Sequence, residues 1–217
     1  MDVSDVIARM REIDDELPAH DGVAVFNRMY LTVTEKIGAA LETQQVFEDP
    51  ELMAELDVTF AGLFLEAYDA DEKPKAWAPL FEGRHRHGVL PVQFALSGMN
   101  THIEHDLPLA VVRTCEAMGR NPDEVHGDYE AVNRLLAEVE EGVRRSFLDE
   151  FQQAVDDEIG PVVHLVSSWN IDKARDVAWA TTLTLWELRS TIFIGRAFER
   201  SLAHSVGLAS RLLLTPV

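Results

Sequence analysis

The sequence predicts an all-α fold, a single-domain bundle of six to eight helices with long central and C-terminal helices. Apolar residues recur at helical spacing along nearly the whole chain. Alternating and β-branched runs are short, which argues against strands. Composition does not shift along the 217 residues, a length typical of one domain, so residues 1–217 are predicted to form a single helical domain.

Four helices are predicted in the first half of the chain. Ser4 can cap the first, and Pro50 suits the first turn of the third. A polar loop at residues 69–74 separates the third from a short fourth helix. The predicted bounds are 4–17, 22–42, 49 or 50–68, and 77–81.

The second half predicts longer helices. Pro108 should kink or break the central one, because proline removes a helical hydrogen bond and clashes with the preceding turn. Asp128 is the expected cap of the next long helix, and the last helix is expected to bend near Gly195 or Gly207. The predicted bounds are 91–118, 128–159, 162–169 and 172–214.

The chain is strongly acidic, with 38 Asp and Glu residues against 19 Lys and Arg residues and a formal charge of −19. Such a field repels nucleic acid and anionic membranes, so neither is an expected partner. The N-terminus lacks the features of a signal peptide, and no apolar run is long enough to cross a membrane. The single cysteine, Cys115, suits a reducing compartment. We therefore expect a cytoplasmic protein.

The segment with the strongest indication of chemistry is Asn100–Pro108, NTHIEHDLP. On a helix, Asp106 falls inside the edge of the apolar face, and His102 lies one turn earlier beside it. A carboxylate there is unstable unless it is paired, hydrogen-bonded or bound to a metal. At positions i and i+4, His102 and Asp106 can bond each other or share one metal. We predict His102, Asp106 and His105 as catalytic residues.

The pair allows two functional interpretations, an acid–base pair or two ligands of a divalent zinc, manganese or iron ion. In the second, His85 and His87 would fold back from a glycine-bounded loop and join His102 and Asp106 as ligands. The structural alternatives are a His–Asp hydrogen bond that closes a kinked helix and a solvated basic loop.

Substrate-binding residues are predicted on the second, central and last helices. Polar side chains that flank apolar faces would hydrogen-bond a substrate, and tryptophans would form an apolar wall. Arg175 would meet a negative charge. The same pattern also fits ordinary core beside salt-bridged arginines. The predicted residues are Asn27, Tyr30, Asn100, Arg175, Trp179 and Trp186.

The stretch GMNTHIEHDLP, residues 98–108, resembles the signature of an uncharacterised bacterial family, a domain of unknown function with an Asn-x-His-Ile-x-His-Asp-Leu-Pro pattern. FNRMYLTVT (residues 26–34) and ARDVAW (residues 174–179) resemble that family too. The resemblance covers most of the chain and implies one domain, and it brings no established activity.

The His-Asp dipeptide is also similar to that of the helical, metal-dependent phosphohydrolases named for this pair. That family needs an upstream histidine and a downstream aspartate. Here His85 or His87 and Asp128 or Asp176 would take those places, at a compressed spacing.

These observations predict a small helical enzyme that acts on a small-molecule ligand at the central helix. With a metal, the expected reaction is hydrolysis of an ester or phosphoester, centred on His102 and Asp106. Without one, acid–base chemistry such as a cyclisation or isomerisation is expected. The alternatives are a non-catalytic ligand-binding bundle and a helical interaction protein, for example a homodimer.

Overall fold

The computed structural model describes residues 1–43, 46–136 and 170–216 of the chain. Within these ranges every regular element is a helix, which confirms the all-α class. No helix in the described ranges is long and apolar enough to cross a membrane. The helix predicted over 162–169 falls outside the described residues, as do residues 137–159 of the helix predicted over 128–159.

The described residues form helices on both sides of the central proline, Pro108. They are α1 (Val3–Glu16), α2 (Gly22–Thr43), α3 (Pro50–Asp69), α4 (Ala78–Gly83), α5 (Pro91–Thr101), a π-helical turn (His102–Asp106), α6 (Leu107–Met118), α7 (residues 122–136, as far as it is described), α8 (Ile171–Leu188) and α9 (Ile192–Leu213).

Side chains satisfy the first backbone N–H groups of α1 and α3. The predicted cap of α1 is wrong, because Asp2 takes that role and Ser4 instead donates a hydrogen bond to Asp2. Asp2 and Asp5 each accept from the backbone N–H of the other, which forms a capping box. Asp49 caps α3, which begins at Pro50.

The predicted start of the fifth long helix at Asp128 is also wrong. The helix begins at residue 122, a proline that follows Asn121 and suits the first turn. Asp128 lies inside α7 and accepts hydrogen bonds from the backbone N–H groups of Glu48 and Asp49, at 2.7 and 2.8 Å. It therefore ties α7 to the start of α3.

The C-terminal helix is two helices, interrupted at residues 189–191, and not one helix bent at a glycine. Gly195 and Gly207 both lie inside α9. A Cβ at Gly207 would lie 2.5 Å from the carbonyl oxygen of Lys75, so this glycine permits close packing of α9 on the preceding chain. The sequence pattern could not distinguish this packing role from a bend.

The predicted interruption of the central helix lies in the turn before Pro108. Proline has no N–H and clashes with the carbonyl four residues earlier, that of Glu104. The backbone adapts with a π-helical turn, in which the N–H of Leu107 donates to the carbonyl of His102, five residues back. The axis continues as α6, and the widened turn contains both His102 and Asp106.

Two apolar clusters fill the interior, and the π-helical turn lies between them. One is centred on Ile103, Leu107 and Tyr129, and the other on Phe26 and Trp77. The α5 helix packs against α2 and α9, and α6 packs against α3 and α8. The central helix is therefore covered on several sides, which buries the predicted catalytic pair.

Gly98 allows α5 to pack directly on α2, because a Cβ at this position would overlap the ring of Phe26. We expect Gly98→Ala to lower the free energy of unfolding by about 1–3 kcal/mol through overpacking. Gly62→Ala is the matched control in α3, where the added Cβ would meet only Met1 Cε, at 4.0 Å. That variant should gain about 0.5–1 kcal/mol from helix propensity. Urea unfolding measures both changes, and equal stabilities would contradict the packing account.

Candidate functional site

Asp106 is a buried carboxylate surrounded by three hydrogen-bond donors. Oδ2 accepts from Nδ1 of His102 at 3.0 Å and from Nε1 of Trp77 at 2.9 Å, and Oδ1 accepts from Nδ1 of His105 at 2.7 Å. Burial disfavours ionisation, but the hydrogen bonds from His102 and His105 outweigh it and lower the pKa of Asp106. The carboxylate is therefore ionised at neutral pH.

The ionised Asp106 determines the protonation of His102. A carboxylate only accepts hydrogen bonds, so Nδ1 of His102 carries the proton. Burial lowers the pKa of His102 below its ordinary value of 6.5, and the hydrogen bond to Asp106 offsets this only in part. At neutral pH His102 is thus a neutral imidazole whose Nε2 has a lone pair. That nitrogen is buried and has no hydrogen-bond partner among the residues described.

Aromatic rings fix the plane of the His102 imidazole. The ring of Phe60 stacks on it, with centroids 3.7 Å apart and planes inclined by 8°. The ring of Tyr30 lies edge-on to the imidazole, with the two ring centroids 4.3 Å apart, and the centroid of the Phe26 ring lies 5.9 Å from that of the imidazole. Together with the bond to Asp106, these contacts hold His102 in one orientation.

His102 lines a cavity of about 90 Å³ formed by α2, α3, the central helix, α7 and α8. Most of the lining is apolar, including Leu56, Phe60, Ile103 and Leu107. The polar or charged side chains on its wall are His102, Tyr30, Asp57, Tyr129 and Arg175. A largely apolar pocket with a few convergent polar groups is the usual form of a small-molecule site.

Asp57 of α3 is a site residue that the sequence analysis missed. Its side chain is buried, and Oδ2 has no hydrogen-bond partner in the described part of the chain. Burial raises the pKa of Asp57 from 3.8 to about 7. The sequence pattern does indicate this residue, because helical spacing places Asp57 on the apolar face of α3, between Met53 and Phe60. The same signal identified Asp106.

Tyr30, one of the residues predicted to bind substrate, lines this cavity, and its hydroxyl is buried with no partner among the described residues. Burial raises the pKa of Tyr30 well above its ordinary value, with a further contribution from the nearby Asp57. Tyr30 therefore keeps its proton and can donate a hydrogen bond. The unpartnered polar atoms of His102, Asp57 and Tyr30 thus belong to side chains on the wall of one cavity.

Arg175, also among the predicted substrate-binding residues, lines the cavity and is only 5% exposed. Its guanidinium lies over the ring of Tyr129, with Cζ 4.1 Å from the ring centroid. Nη2 donates to the backbone carbonyl of Tyr129 at 2.6 Å, and Nε donates to Oδ1 of Asn133. Both acceptors are neutral. Burial lowers the pKa of Arg175.

The other predicted substrate-binding residues lie away from the cavity wall. Asn27 is buried and donates to the carbonyl of Met10, which joins α2 to α1. Asn100 donates to Ser210, which joins α5 to α9. Both amides therefore connect helices, and neither lines the cavity to which a substrate was predicted to bind.

The two predicted tryptophans pack elsewhere. Trp179 contacts the rings of His126 and Tyr129, and Trp186 contacts the guanidinium of Arg189 at 3.6 Å from the ring centroid. Neither is part of the cavity wall. Periodicity identified a shared helix face but not which neighbouring surface that face meets.

The histidines predicted as further metal ligands are not brought to this site. His85 and His87 are exposed, and Nδ1 of His85 lies 3.5 Å from Oδ2 of Asp21. In the described ranges, no group of three or more His, Cys, Asp and Glu side chains is arranged to hold a metal ion. His105 donates a hydrogen bond to Oδ1 of Asp106 and does not line the cavity.

The raised pKa of Asp57 makes stability depend on pH. Folding raises this pKa from 3.8 to about 7. The contribution of Asp57 to the free energy of unfolding of the wild-type protein therefore decreases as the pH rises from about 4 to about 7, and it is constant at higher pH. Asparagine does not titrate, so the stability of Asp57→Asn relative to wild type should rise over that range and level off above it. Urea unfolding at a series of pH values measures the difference. Asp71→Asn, in an exposed loop, controls for the change in net charge.

A pH-independent difference between Asp57→Asn and wild type would contradict a protonated, buried Asp57. This comparison does not depend on the packing change that asparagine introduces, because such a change is the same at every pH.

No curated protein matches the chain, and no solved structure does. A family model described as a family of unknown function, DUF5995, matches residues 3–216. The match covers nearly the whole chain and agrees with the resemblance of the GMNTHIEHDLP segment to an uncharacterised family. The chain belongs to this family of unknown function, DUF5995.

Proposed function

We propose that this protein is a metal-independent acid–base enzyme that acts on a small, largely apolar molecule in the cavity beside His102. One observation carries the proposal. A neutral histidine has Nδ1–H fixed by an ionised, buried Asp106, while its basic Nε2 is buried with no partner among the described residues, on a side chain that lines a cavity. A general base with a fixed tautomer and an open lone pair is suited to take a proton from a bound molecule.

His102 would take a proton from a carbon atom adjacent to a substrate carbonyl. Asp106 would stabilise the imidazolium that forms, because its carboxylate already accepts the Nδ1–H bond. Asp57, protonated below about pH 7, would donate its proton to the carbonyl oxygen, and Tyr30 would supply a further hydrogen bond. In a substrate with a carbon–carbon double bond between its β and γ carbons, the intermediate is a dienol, and return of the proton from His102 to the γ carbon moves the double bond next to the carbonyl group. The oxygen then returns its proton to Asp57, which completes the isomerisation and restores both groups.

The cavity wall favours this chemistry. Apolar walls exclude water and strengthen the electrostatic interactions of His102 and Asp57 with a bound molecule. The volume is about 90 Å³, and a cavity of roughly 150 Å³ accommodates benzene. Met29, Met53 and Met99 line the cavity, and flexible methionine side chains can rearrange around ligands of different shape. We therefore assign substrates no larger than benzene.

A metal-dependent hydrolase has less support from the arrangement of side chains. Its predicted ligands His85 and His87 are exposed, and both oxygens of Asp106 already accept hydrogen bonds, from His102, His105 and Trp77. A non-catalytic ligand-binding protein is the second candidate, because the cavity is mostly apolar and would hold a ligand without any reaction. The homodimer stays a prediction that light scattering can test.

The proposal is tested by deuterium incorporation into small aliphatic ketones. Ketones that raise the thermal midpoint are incubated with the protein in D₂O, and exchange of the carbon-bound protons is followed by NMR. We expect His102→Gln to slow the exchange by about 100-fold or more, since general bases contribute at least that factor. His126→Gln, at an exposed position of α7, is the matched control and should retain the wild-type rate.

The pH profile of that exchange should be bell-shaped. The rate should rise as His102 loses its proton below pH 6.5, and it should fall near pH 7 as Asp57 ionises. Asp57→Asn should remove the alkaline limb and lower the maximum. Ketones that bind but do not exchange would favour the ligand-binding alternative, and exchange that survives His102→Gln would refute the assigned base.

A further inference from the structure

The cavity contains a buried cation that the chemistry of His102 does not require. The guanidinium of Arg175 lies on the wall, yet its hydrogen-bonded acceptors are the neutral oxygens of Tyr129 and Asn133. In the described ranges, no carboxylate lies within ion-pair distance of Arg175, and no residue accepts from Nη1. Buried charges in proteins are normally paired, so within the part of the chain that the structure describes this guanidinium lacks its expected anion.

The nearby acidic residues do not take that place. Glu130, Asp172 and Asp176 act on Arg175 only at longer range, and all three are exposed to solvent, which screens them. Asp57 is the carboxyl group on the cavity wall among the described residues, and it keeps its proton below about pH 7. The cavity thus has a net positive wall group within a strongly acidic protein.

Two further features favour an anion at this wall. Ile171, the first residue of α8, also lines the cavity, so the positive end of that helix dipole borders it. The contact with the Tyr129 ring and the bonds through Nε and Nη2 hold the guanidinium in place. A fixed guanidinium binds the two oxygens of a carboxylate with matching geometry.

We propose that the ligand of this cavity is a small monocarboxylate with an apolar chain, whose carboxylate pairs with Arg175 while the chain packs against Phe60 and Leu56. The assignment deepens the proposed function and, as a substrate assignment, rests on it. The substrate class is then a small oxo acid, with its carboxylate at Arg175 and the carbon next to its carbonyl group at His102. The exposed carboxylates of the surface do not prevent this, because solvent and salt screen their charges.

Butanoate and butanamide are the probes, because they have nearly the same shape and differ in charge. Calorimetry on the wild-type protein should give at least about 10-fold tighter binding of butanoate, in line with the strength of a charge-assisted bond. The ¹⁵N signal of Arg175 Nε should shift on addition of butanoate. Equal affinity for the two probes, or an unmoved Arg175 signal, would overturn the proposal.

Two variants test whether Arg175 causes the preference for butanoate over butanamide. Arg175→Gln should lose the preference for butanoate over butanamide, and Arg196→Gln, which removes the same charge at an exposed position of α9, should keep it. If Arg175→Gln does not fold, Arg175→Lys retains the charge and should retain the preference. A preference that persists in a folded Arg175→Gln protein would overturn the assignment.

Binding and catalysis can fail separately in this design. His102→Gln should still bind butanoate more tightly than butanamide, and 2-oxobutanoate in D₂O should exchange its carbon-bound protons faster with the wild-type protein than with this variant. Carboxylate binding without exchange supports the ligand assignment and refutes the enzyme. Exchange of neutral ketones without preferential binding of carboxylates supports the enzyme and refutes the ligand assignment.

Discussion

The hydrogen-bonded carboxylate of Asp106 is the interaction on which the rest of the candidate site depends. An ionised group at 1% exposure is tolerated only because donors from three side chains surround it. Trp77 comes from the segment before α4, so this one group joins a distant segment to the central helix. The same bonds determine the tautomer of His102, and thereby which nitrogen is free to act.

A proline explains how these groups come together within five residues. Pro108 prevents regular α-helical bonding in the preceding turn, and the π-helical turn that results contains His102, His105 and Asp106. Such turns are often found at functional sites. The π-helical turn is therefore a consequence of the steric demands of Pro108. It also allows His102 and His105 to donate to different oxygens of the Asp106 carboxylate.

The candidate site combines groups whose environments push their pKa values in opposite senses. Burial raises the pKa of Asp57 and lowers that of His102, while hydrogen bonds lower that of Asp106. The result at neutral pH is a basic imidazole, an ionised carboxylate behind it and a carboxyl group close to its point of titration. Such separation of acid and base roles by environment is typical of active sites, where unpartnered buried groups reduce stability.

The sequence by itself determined the all-α class, most helix bounds and the buried His102–Asp106 pair, because helical periodicity and a carboxylate on an apolar face are local properties. Only the tertiary structure decided which partners these residues meet. Asp57 and Arg175 reach the cavity from helices distant in sequence, while Asn27, Asn100 and both tryptophans face other contacts. The reason is physical, since periodicity fixes the face of a helix on which a residue lies, and packing fixes what that face touches.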